Sequence, residues 1–169
     1  MQYRFPRRTI LLGALTAFVS GCASKFRTYS GPQVTRIRVY KSRRLLVLDG
    51  AEGVVRTFPM GLGFAPEGHK QFEGDGRTPE GTYVIDRRNP NSLFHLSIGI
   101  SYPNEADIAY ARAQGRSPGG DIFIHGGPRP GIDPTDKRDW TAGCIAVTDR
   151  EIEDIYAMVK DRTPIDIYA

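Results

Sequence analysis

The feature that most constrains the fold is a series of short apolar runs in the first half of the chain. The first two runs, 34–40 and 44–49, are rich in Val, Ile and Leu and are separated by three polar residues. A third run, 54–60, follows the turn sequence 50–53. Runs of this length and composition, joined by short turns, are typical of antiparallel strands. The sequence therefore predicts a three-stranded meander and a domain that is mostly β.

Two short helices and three further strands are predicted outside the meander. Residues 104–114 are rich in alanine and are followed by Gly115, a pattern typical of a short helix that ends at glycine. Thr148 and Glu151 form a Thr-x-x-Glu capping box ahead of apolar residues at helical spacing, which predicts a second helix. The further strands are predicted at 81–86, 121–125 and 164–168.

The N-terminus has the parts of an export signal. Three basic residues, Arg4, Arg7 and Arg8, precede an apolar run over 9–19, and small residues lead from that run to Cys22. The apolar run is too short to span a bilayer as an ordinary transmembrane helix. We therefore expect the protein to be exported.

The four residues 19–22, Val-Ser-Gly-Cys, resemble the lipobox of bacterial lipoproteins. The resemblance implies that Cys22 receives lipid on its sulfur and becomes the new N-terminus. A signal that stays uncleaved, or is cleaved elsewhere, is the alternative. Ala23 stands where an aspartate is the inner-membrane signal, which favours the periplasmic face of the outer membrane as the location. The predicted organisation is a signal peptide over 1–21, a lipidated tether over 22–33 and a folded domain over 34–169.

Composition excludes several classes of function. The net charge of the chain is +4, and removal of the three signal arginines would leave about +1, too little for a nucleic-acid-binding surface. The Gly- and Pro-rich loop 61–80 lacks the glycine spacing of nucleotide-binding loops. Three histidines without clustered partners do not predict a metal site. We expect neither a metal nor another cofactor.

The chain has two cysteines, Cys22 and Cys144. Exported proteins ordinarily pair their thiols, so lipidation of Cys22 would leave Cys144 without a partner in the chain. Catalysis is the commonest reason to keep such a thiol reduced. A disulfide between the two cysteines and an inert buried thiol remain as alternatives.

Catalytic chemistry is indicated by His125 at the end of a predicted strand and Cys144 on a later turn. A neutral thiol is a poor nucleophile, so a cysteine enzyme needs a nearby imidazole as base. Cysteine suits such a site because its thiolate is expected to form near neutral pH. Ala142 and Gly143 are small, and their backbone N–H groups could hold the oxyanion of a tetrahedral intermediate.

This pattern resembles the L,D-transpeptidase family of the YkuD type, which is marked by a histidine followed by Ser/Thr-x-Gly-Cys. The matching residues here are His125, Thr141, Gly143 and Cys144. Further stretches similar to the family lie at 74–83, 100–104 and 119–126. The resemblance covers nearly all of the mature chain, and it implies a β-sandwich or barrel-like pair of sheets with two short helices.

The resemblance also implies a reaction on peptidoglycan peptide stems. Cys144 would attack the diaminopimelate carbonyl of a tetrapeptide stem, release the terminal D-alanine and pass the acyl group to an amine. The outcome would be crosslinking, D-amino-acid exchange or protein attachment. His125 would be the base, and the carbonyl of Gly126 would fix its tautomer.

Two positions depart from the family's commonest pattern. Ala142 replaces the histidine that follows Ser/Thr, and Ala146 replaces an Asn or Arg after the cysteine. An amidase or carboxypeptidase that hydrolyses the same type of bond is therefore a second hypothesis. A non-catalytic peptidoglycan-binding lipoprotein is a third, although it would need neither His125 nor Cys144.

Other predictions near the site rest on weaker signals. Tyr102, Trp140 and Thr141 are predicted to contact the stem peptide, but aromatic residues beside loops are also ordinary packing residues. Of the remaining histidines, His69 is predicted to be solvated in a polar loop, and His95 to be packed in the core.

Overall fold

The structure of the protein is a computed structural model that describes residues 24–131, 133–134 and 136–169. The predicted signal peptide (1–21) and the predicted lipidation of Cys22 lie outside these residues. In chain order the elements are β1 (Arg36–Tyr40), β2 (Leu45–Gly50), β3 (Gly53–Pro59), β4 (Gly81–Asn89), β5 (Ser97–Ile100), α1 (Glu105–Ala113), β6 (Phe123–His125), β7 (Ile145–Ala146), α2 (Asp149–Met158) and β8 (Pro164–Tyr168). Within the described ranges, no helix has the length and apolar character needed to cross a membrane.

The predicted meander is confirmed, since β2 pairs with β1 and with β3 in antiparallel register. Side chains alternate across a strand, so the apolar positions of β1 share one face. Ile37 and Val39 are fully buried on that face. On the other face, Arg38 donates to Asp49 of β2. This alternation fixes the register between β1 and β2.

All eight strands form one curled sheet in the order β3-β2-β1-β8-β4-β5-β6-β7. The C-terminal strand β8 lies inside the sheet, parallel to β1 and antiparallel to β4. β4 then continues into the second half by pairing with β5, and the register shifts between Ile85 and Arg87. The mostly-β prediction with two short helices is confirmed, and the predicted pair of sheets corresponds to two halves that share β4.

Both helices begin at capping boxes. Asn104 and Asp107 cap α1, and Thr148 and Glu151 cap α2, so the predicted helices are confirmed. α2 packs against β5 and β6, where its Ile152 is fully buried. This packing places the first turn of α2 beneath the end of β6.

The described part of the predicted tether (22–33) does not stand apart from the domain. Lys25 donates to main-chain oxygens of the loop between β4 and β5. Arg27 pairs with Glu153 at 2.7 Å and with Asp154 at 2.8 Å, both on α2. The described part of the predicted tether is therefore bonded to the folded domain through partners far away in the sequence.

Candidate active site

Strand pairing brings the two predicted catalytic residues together. His125 is the last residue of β6, and Cys144 directly precedes β7. β6 and β7 are parallel neighbours, with Ile124 opposite Ile145, and neighbouring strands lie about 4.8 Å apart. Both side chains line one cavity of about 290 Å³. Its other lining residues are Asn89, Ser92, Leu93, Phe94, Ser97, Asp121 and Phe123.

The imidazole of His125 is held in one orientation. Its side chain is buried, with the residue only 4% exposed, and Nδ1 lies 2.7 Å from the carbonyl oxygen of Gly126. A carbonyl can only accept, so Nδ1 donates and Nε2 is left as the acceptor. The hydrogen bond predicted for Gly126 is therefore present, and it sets the tautomer that a general base requires.

Two aromatic rings enclose the same imidazole. The Phe94 ring centroid lies 4.4 Å from that of His125, and Trp140 meets it edge-on at 5.6 Å. Phe94 and Trp140 also contact each other at 5.7 Å. The rings exclude water and restrict rotation of the imidazole.

The sulfur of Cys144 makes its hydrogen bonds with backbone groups. Sγ accepts from the Phe123 N–H at 3.4 Å and faces the Asp121 oxygen at 3.5 Å. Cys144 forms no disulfide within the described residues. The pairing alternative with Cys22 involves a residue outside them.

Thr141 shapes the turn that presents the thiol. Its Oγ1 donates to the Cys144 carbonyl at 2.7 Å and accepts from the Gly143 N–H at 3.1 Å. Gly143 has a φ of 138°, a conformation that a side chain would strain. Of the two predicted oxyanion donors, Gly143 is thus already bonded to Thr141. The Ala142 N–H donates no hydrogen bond to another described residue.

Burial favours the neutral form of both predicted catalytic groups. Although part of Cys144 reaches solvent, the protein atoms around it exclude water and raise the pKa of its thiol. Burial also lowers the pKa of His125, and this outweighs the opposite effect of the Gly126 hydrogen bond. At neutral pH the free site therefore holds a thiol beside a neutral imidazole. The expectation of a preformed thiolate is corrected.

Comparison with known proteins identifies the domain. The model of the L,D-transpeptidase catalytic domain, YkuD, matches residues 34–167. The chain belongs to this family.

Individual relatives agree with the family match but are longer. YafK of Escherichia coli K12 is 35% identical over 95 residues, a match that covers 54% of the chain and 32% of YafK. The helical cell shape determining protein Pgp2 from Campylobacter jejuni superposes with a TM-score of 0.62 at 25% identity, over 82% of the chain and 49% of Pgp2. Bd1075 from Bdellovibrio bacteriovorus superposes at 0.57 with 26% identity, over 80% and 48%. The chain thus spans about a third of YafK and about half of the two solved structures.

The three residues predicted to contact substrate occupy different places in the domain. Tyr102 is only 3% exposed, and its hydroxyl donates to the Pro118 oxygen at 3.0 Å, so it is a core residue and that prediction is corrected. Trp140 packs on His125, and the buried Thr141 supports the nucleophile turn. Neither residue lines the cavity that His125 and Cys144 share, and their substrate contacts stay predictions.

The predictions for the other two histidines were wrong. His69 is not simply solvated: Nε2 lies 2.9 Å from Asp107, and Nδ1 accepts from the Glu80 N–H. His95 is not in the core but partly exposed, with Nε2 at 2.8 Å from Glu153. The described residues contain no group of three or more His, Cys, Asp or Glu side chains that could hold a metal.

Sequence reasoning missed the residues that support the base. Phe94 carries no local motif, and its role follows only from the sheet topology. Asp149 accepts from the Gly127 N–H at 3.0 Å and pairs with Arg129, which holds the chain that follows the base. Asp149 was identifiable only as the first residue of a helix.

A second cavity of about 300 Å³ lies on the other side of the thiol. It shares Cys144 and Asp121 with the first cavity, but its walls include the charged residues Lys70 and Glu73. The first cavity is bounded by the apolar side chains of Leu93, Phe94 and Phe123 and by uncharged polar ones such as Asn89 and Ser92. Cys144 can therefore be approached from two sides of different polarity.

Proposed function

We propose that the protein is a cysteine-dependent peptidoglycan L,D-transpeptidase. The observation that carries this proposal is that His125 and Cys144 line one cavity while the Nδ1 of His125 is bonded to the Gly126 carbonyl. Because Nδ1 makes the hydrogen bond that orients the ring, Nε2 is the nitrogen that can accept a proton. The family match supports peptide stems of peptidoglycan as the substrate class.

The first half of the reaction forms a thioester on Cys144. As Sγ attacks the diaminopimelate carbonyl, Nε2 of His125 takes the thiol proton, because the resting thiol is neutral. The carbonyl of Gly126 then stabilises the imidazolium through Nδ1–H. Collapse of the tetrahedral intermediate breaks the amide bond, and His125 returns the proton to the amine of the departing D-alanine.

The second half transfers the acyl group. An acceptor amine attacks the thioester carbonyl, His125 takes a proton from the amine, and the thiol is restored when the C–S bond breaks. Of the two predicted donors, the Ala142 N–H is the one without a partner among the described residues, and we assign it to the oxyanion. The Gly143 N–H would first have to leave Thr141.

Hydrolysis is the second candidate, and residues 142 and 146 favour it. Both positions hold alanine, so neither side chain can bind an acceptor through hydrogen bonds. Ala146 is also buried, beside Gly61. If water competes well with amines at the thioester, the enzyme acts as an amidase or carboxypeptidase on the same bond.

Mass spectrometry of the products separates these functions. Purified protein is incubated with tetrapeptide muropeptides, with and without an added D-amino acid, and Cys144→Ala serves as the matched control. A crosslinked dimer or an exchanged D-amino acid supports the transferase, and a bare tripeptide supports the hydrolase. Unchanged substrate with the unmodified protein contradicts both and leaves the non-catalytic binding lipoprotein.

We further propose that lipid on Cys22 anchors the protein at the periplasmic face of the outer membrane. Three residues span at most about 11 Å, so Lys25, and with it the folded domain, would lie close to the membrane surface. Cys22→Ala should move the protein to the soluble fraction or leave an uncleaved signal, with an unchanged thiol at Cys144. A membrane-bound mature Cys22→Ala protein would exclude the lipid anchor, and Cys144→Ala is the control that should stay bound.

A further inference from the structure

The segment that precedes the predicted catalytic domain is bonded to one loop, residues 90–96, here named the β4–β5 loop. The Lys25 Nζ donates to the Pro90 oxygen at 2.6 Å and to the His95 oxygen at 3.2 Å. Pro90 and His95 lie near the two ends of the loop. A single ammonium group therefore ties the ends of this loop together.

Arg27 is linked to the same loop through Glu153 of α2. Its Nε and Nη2 donate to Oε2 of Glu153 at 2.8 and 2.7 Å, and Oε1 of Glu153 lies 2.8 Å from Nε2 of His95. Burial alone would raise the pKa of Glu153, but hydrogen bonds from His95 and Arg27 lower it, so the carboxylate stays charged at neutral pH. One carboxylate thus links Arg27 to His95.

His95 needs this support because its backbone is strained. Its φ is 73°, in the left-handed region that residues other than glycine adopt only when the surrounding structure holds them there. Lys25 binds its carbonyl group, and Glu153 binds its ring. The N-terminal segment therefore contributes directly to holding His95 in this conformation.

The residue before His95 connects the loop to the catalytic base. The ring of Phe94 packs on the His125 imidazole, with 4.4 Å between centroids. The Phe94 carbonyl accepts from the Gly126 N–H at 3.1 Å, and Gly126 is the residue whose carbonyl holds Nδ1. A displacement of the β4–β5 loop would change both the ring contact and the hydrogen bond that orient the base.

We propose that Lys25 and Arg27 are positioning residues for the catalytic base. They hold the β4–β5 loop so that Phe94 keeps His125 and Gly126 aligned with the thiol of Cys144. The inference rests on the proposed function, since it assigns His125 the role of base. The segment is then part of the working enzyme, and a chain that starts at Val34 has an impaired site.

The test measures the reactivity of Cys144 with iodoacetamide in the full-length protein, from pH 6 to pH 10. In this reaction an S–C bond forms as iodide leaves, and near neutral pH the thiol proton goes to His125. Adducts are mapped to Cys144 by peptide mass. No stem peptide is needed, so failure of the proposed transpeptidase activity would appear separately, as unchanged muropeptides with the unmodified protein.

Lys25→Ala should lower the alkylation rate near pH 7 by about tenfold, part of the 10²–10⁴ that a general base supplies. The deficit should shrink at high pH, where the thiol ionises without help. Lys25→Arg should restore most of the rate, because a guanidinium can donate to the same two carbonyls. Arg27→Gln should give a smaller loss of the same form. The matched control is Lys160→Ala, an exposed lysine for which no change is expected.

Melting temperatures recorded for every variant separate positioning from general destabilisation. The proposal is overturned if folded Lys25→Ala protein is alkylated at the same rate as the unmodified protein over the whole pH range. It is also overturned if the variant's rate is lowered by the same factor at every pH. If Lys25→Ala does not fold, the same criteria apply to Arg27→Gln. An Arg27→Gln profile identical to that of Lys160→Ala then contradicts the role of the segment.

Discussion

The two residues of the proposed catalytic pair are held very differently. His125 is buried, enclosed by Phe94 and Trp140, and bonded through Nδ1 at 2.7 Å. The sulfur of Cys144 has contacts of 3.4 and 3.5 Å with the backbone and borders two cavities. The imidazole is therefore held by ring packing and a short hydrogen bond, whereas the thiol is held by the weaker hydrogen bonds that sulfur makes.

This difference fits the separate roles proposed for His125 as base and Cys144 as nucleophile. A base must be aligned to accept a proton at the moment of attack, and the packing around His125 provides that alignment. A nucleophile that bonds first to a donor stem and then exposes its thioester to an acceptor needs access from two directions. Aromatic packing holds the imidazole of His125, whereas the contacts that hold Cys144 come from its backbone turn.

The largest effect is expected from removing the nucleophile. Cys144→Ala should abolish turnover of muropeptides but leave the melting temperature nearly unchanged, because the sulfur makes only weak contacts. Kinetics and thermal unfolding are measured on the same preparation. Residual activity within about tenfold of the unmodified enzyme, equivalent to ~1.4 kcal/mol, would show that another group attacks the substrate.

Removal of the base should cost less and should depend on pH. His125→Asn is expected to lower the rate of acyl-enzyme formation by about 10²–10⁴ near neutral pH, the usual contribution of general-base catalysis. The loss should diminish at alkaline pH, where the raised pKa of the thiol is exceeded and thiolate forms unaided. A loss that is constant from pH 6 to pH 10 would contradict the role of His125 as base.

Tight packing behind the base predicts a loss of stability at Gly126. A Cβ atom there would lie 2.9 Å from the Phe94 oxygen and 3.1 Å from Ile152, so Gly126→Ala should destabilise the fold by about 1–3 kcal/mol. Gly120→Ala is the matched control, since its nearest neighbour would be Pro103 at 3.9 Å. Urea unfolding measures both, and equal effects would mean that the packing at the base is not tight.

A smaller effect is expected in the pH dependence of stability. Burial lowers the pKa of His125 in the folded state, so below about pH 6.5 the unfolded chain binds a proton that the folded chain does not. Stability should fall with decreasing pH, by up to ~1.4 kcal/mol per pH unit, until the folded-state pKa is reached. Urea unfolding of the unmodified protein and of His125→Asn isolates this contribution. Identical slopes between pH 5 and 7 would exclude a buried neutral imidazole.

Local patterns predicted much of the fold. The meander follows from the alternation of side chains within short strands. Both helices follow from residues at their ends, such as Thr148 and Glu151, which are close enough in the sequence to be recognised as a capping box. β5 and β7 were not predicted: β5 is a four-residue strand with a glycine in it, and β7 has only two residues. Such strands are defined by their partners, which sequence spacing does not specify.

The same distinction holds at the active site. His125, Gly126 and Cys144 were predicted because their chemistry and order form a pattern in the sequence. Phe94 and Lys25 were missed because their contacts join residues separated by about 30 and 65 positions, with no motif to connect them. Long-range packing, which holds the base, was thus the part that the sequence left undetermined.

The most direct test of the proposed chemistry is intact-mass analysis of the protein during incubation with a tetrapeptide muropeptide. We predict a covalent adduct equal in mass to the donor muropeptide less its terminal D-alanine, mapped to Cys144. The adduct should form much more slowly in His125→Asn protein near neutral pH, and it should disappear when an acceptor amine is added. An adduct at another residue, or a rate indifferent to His125, would contradict the assignment of nucleophile and base.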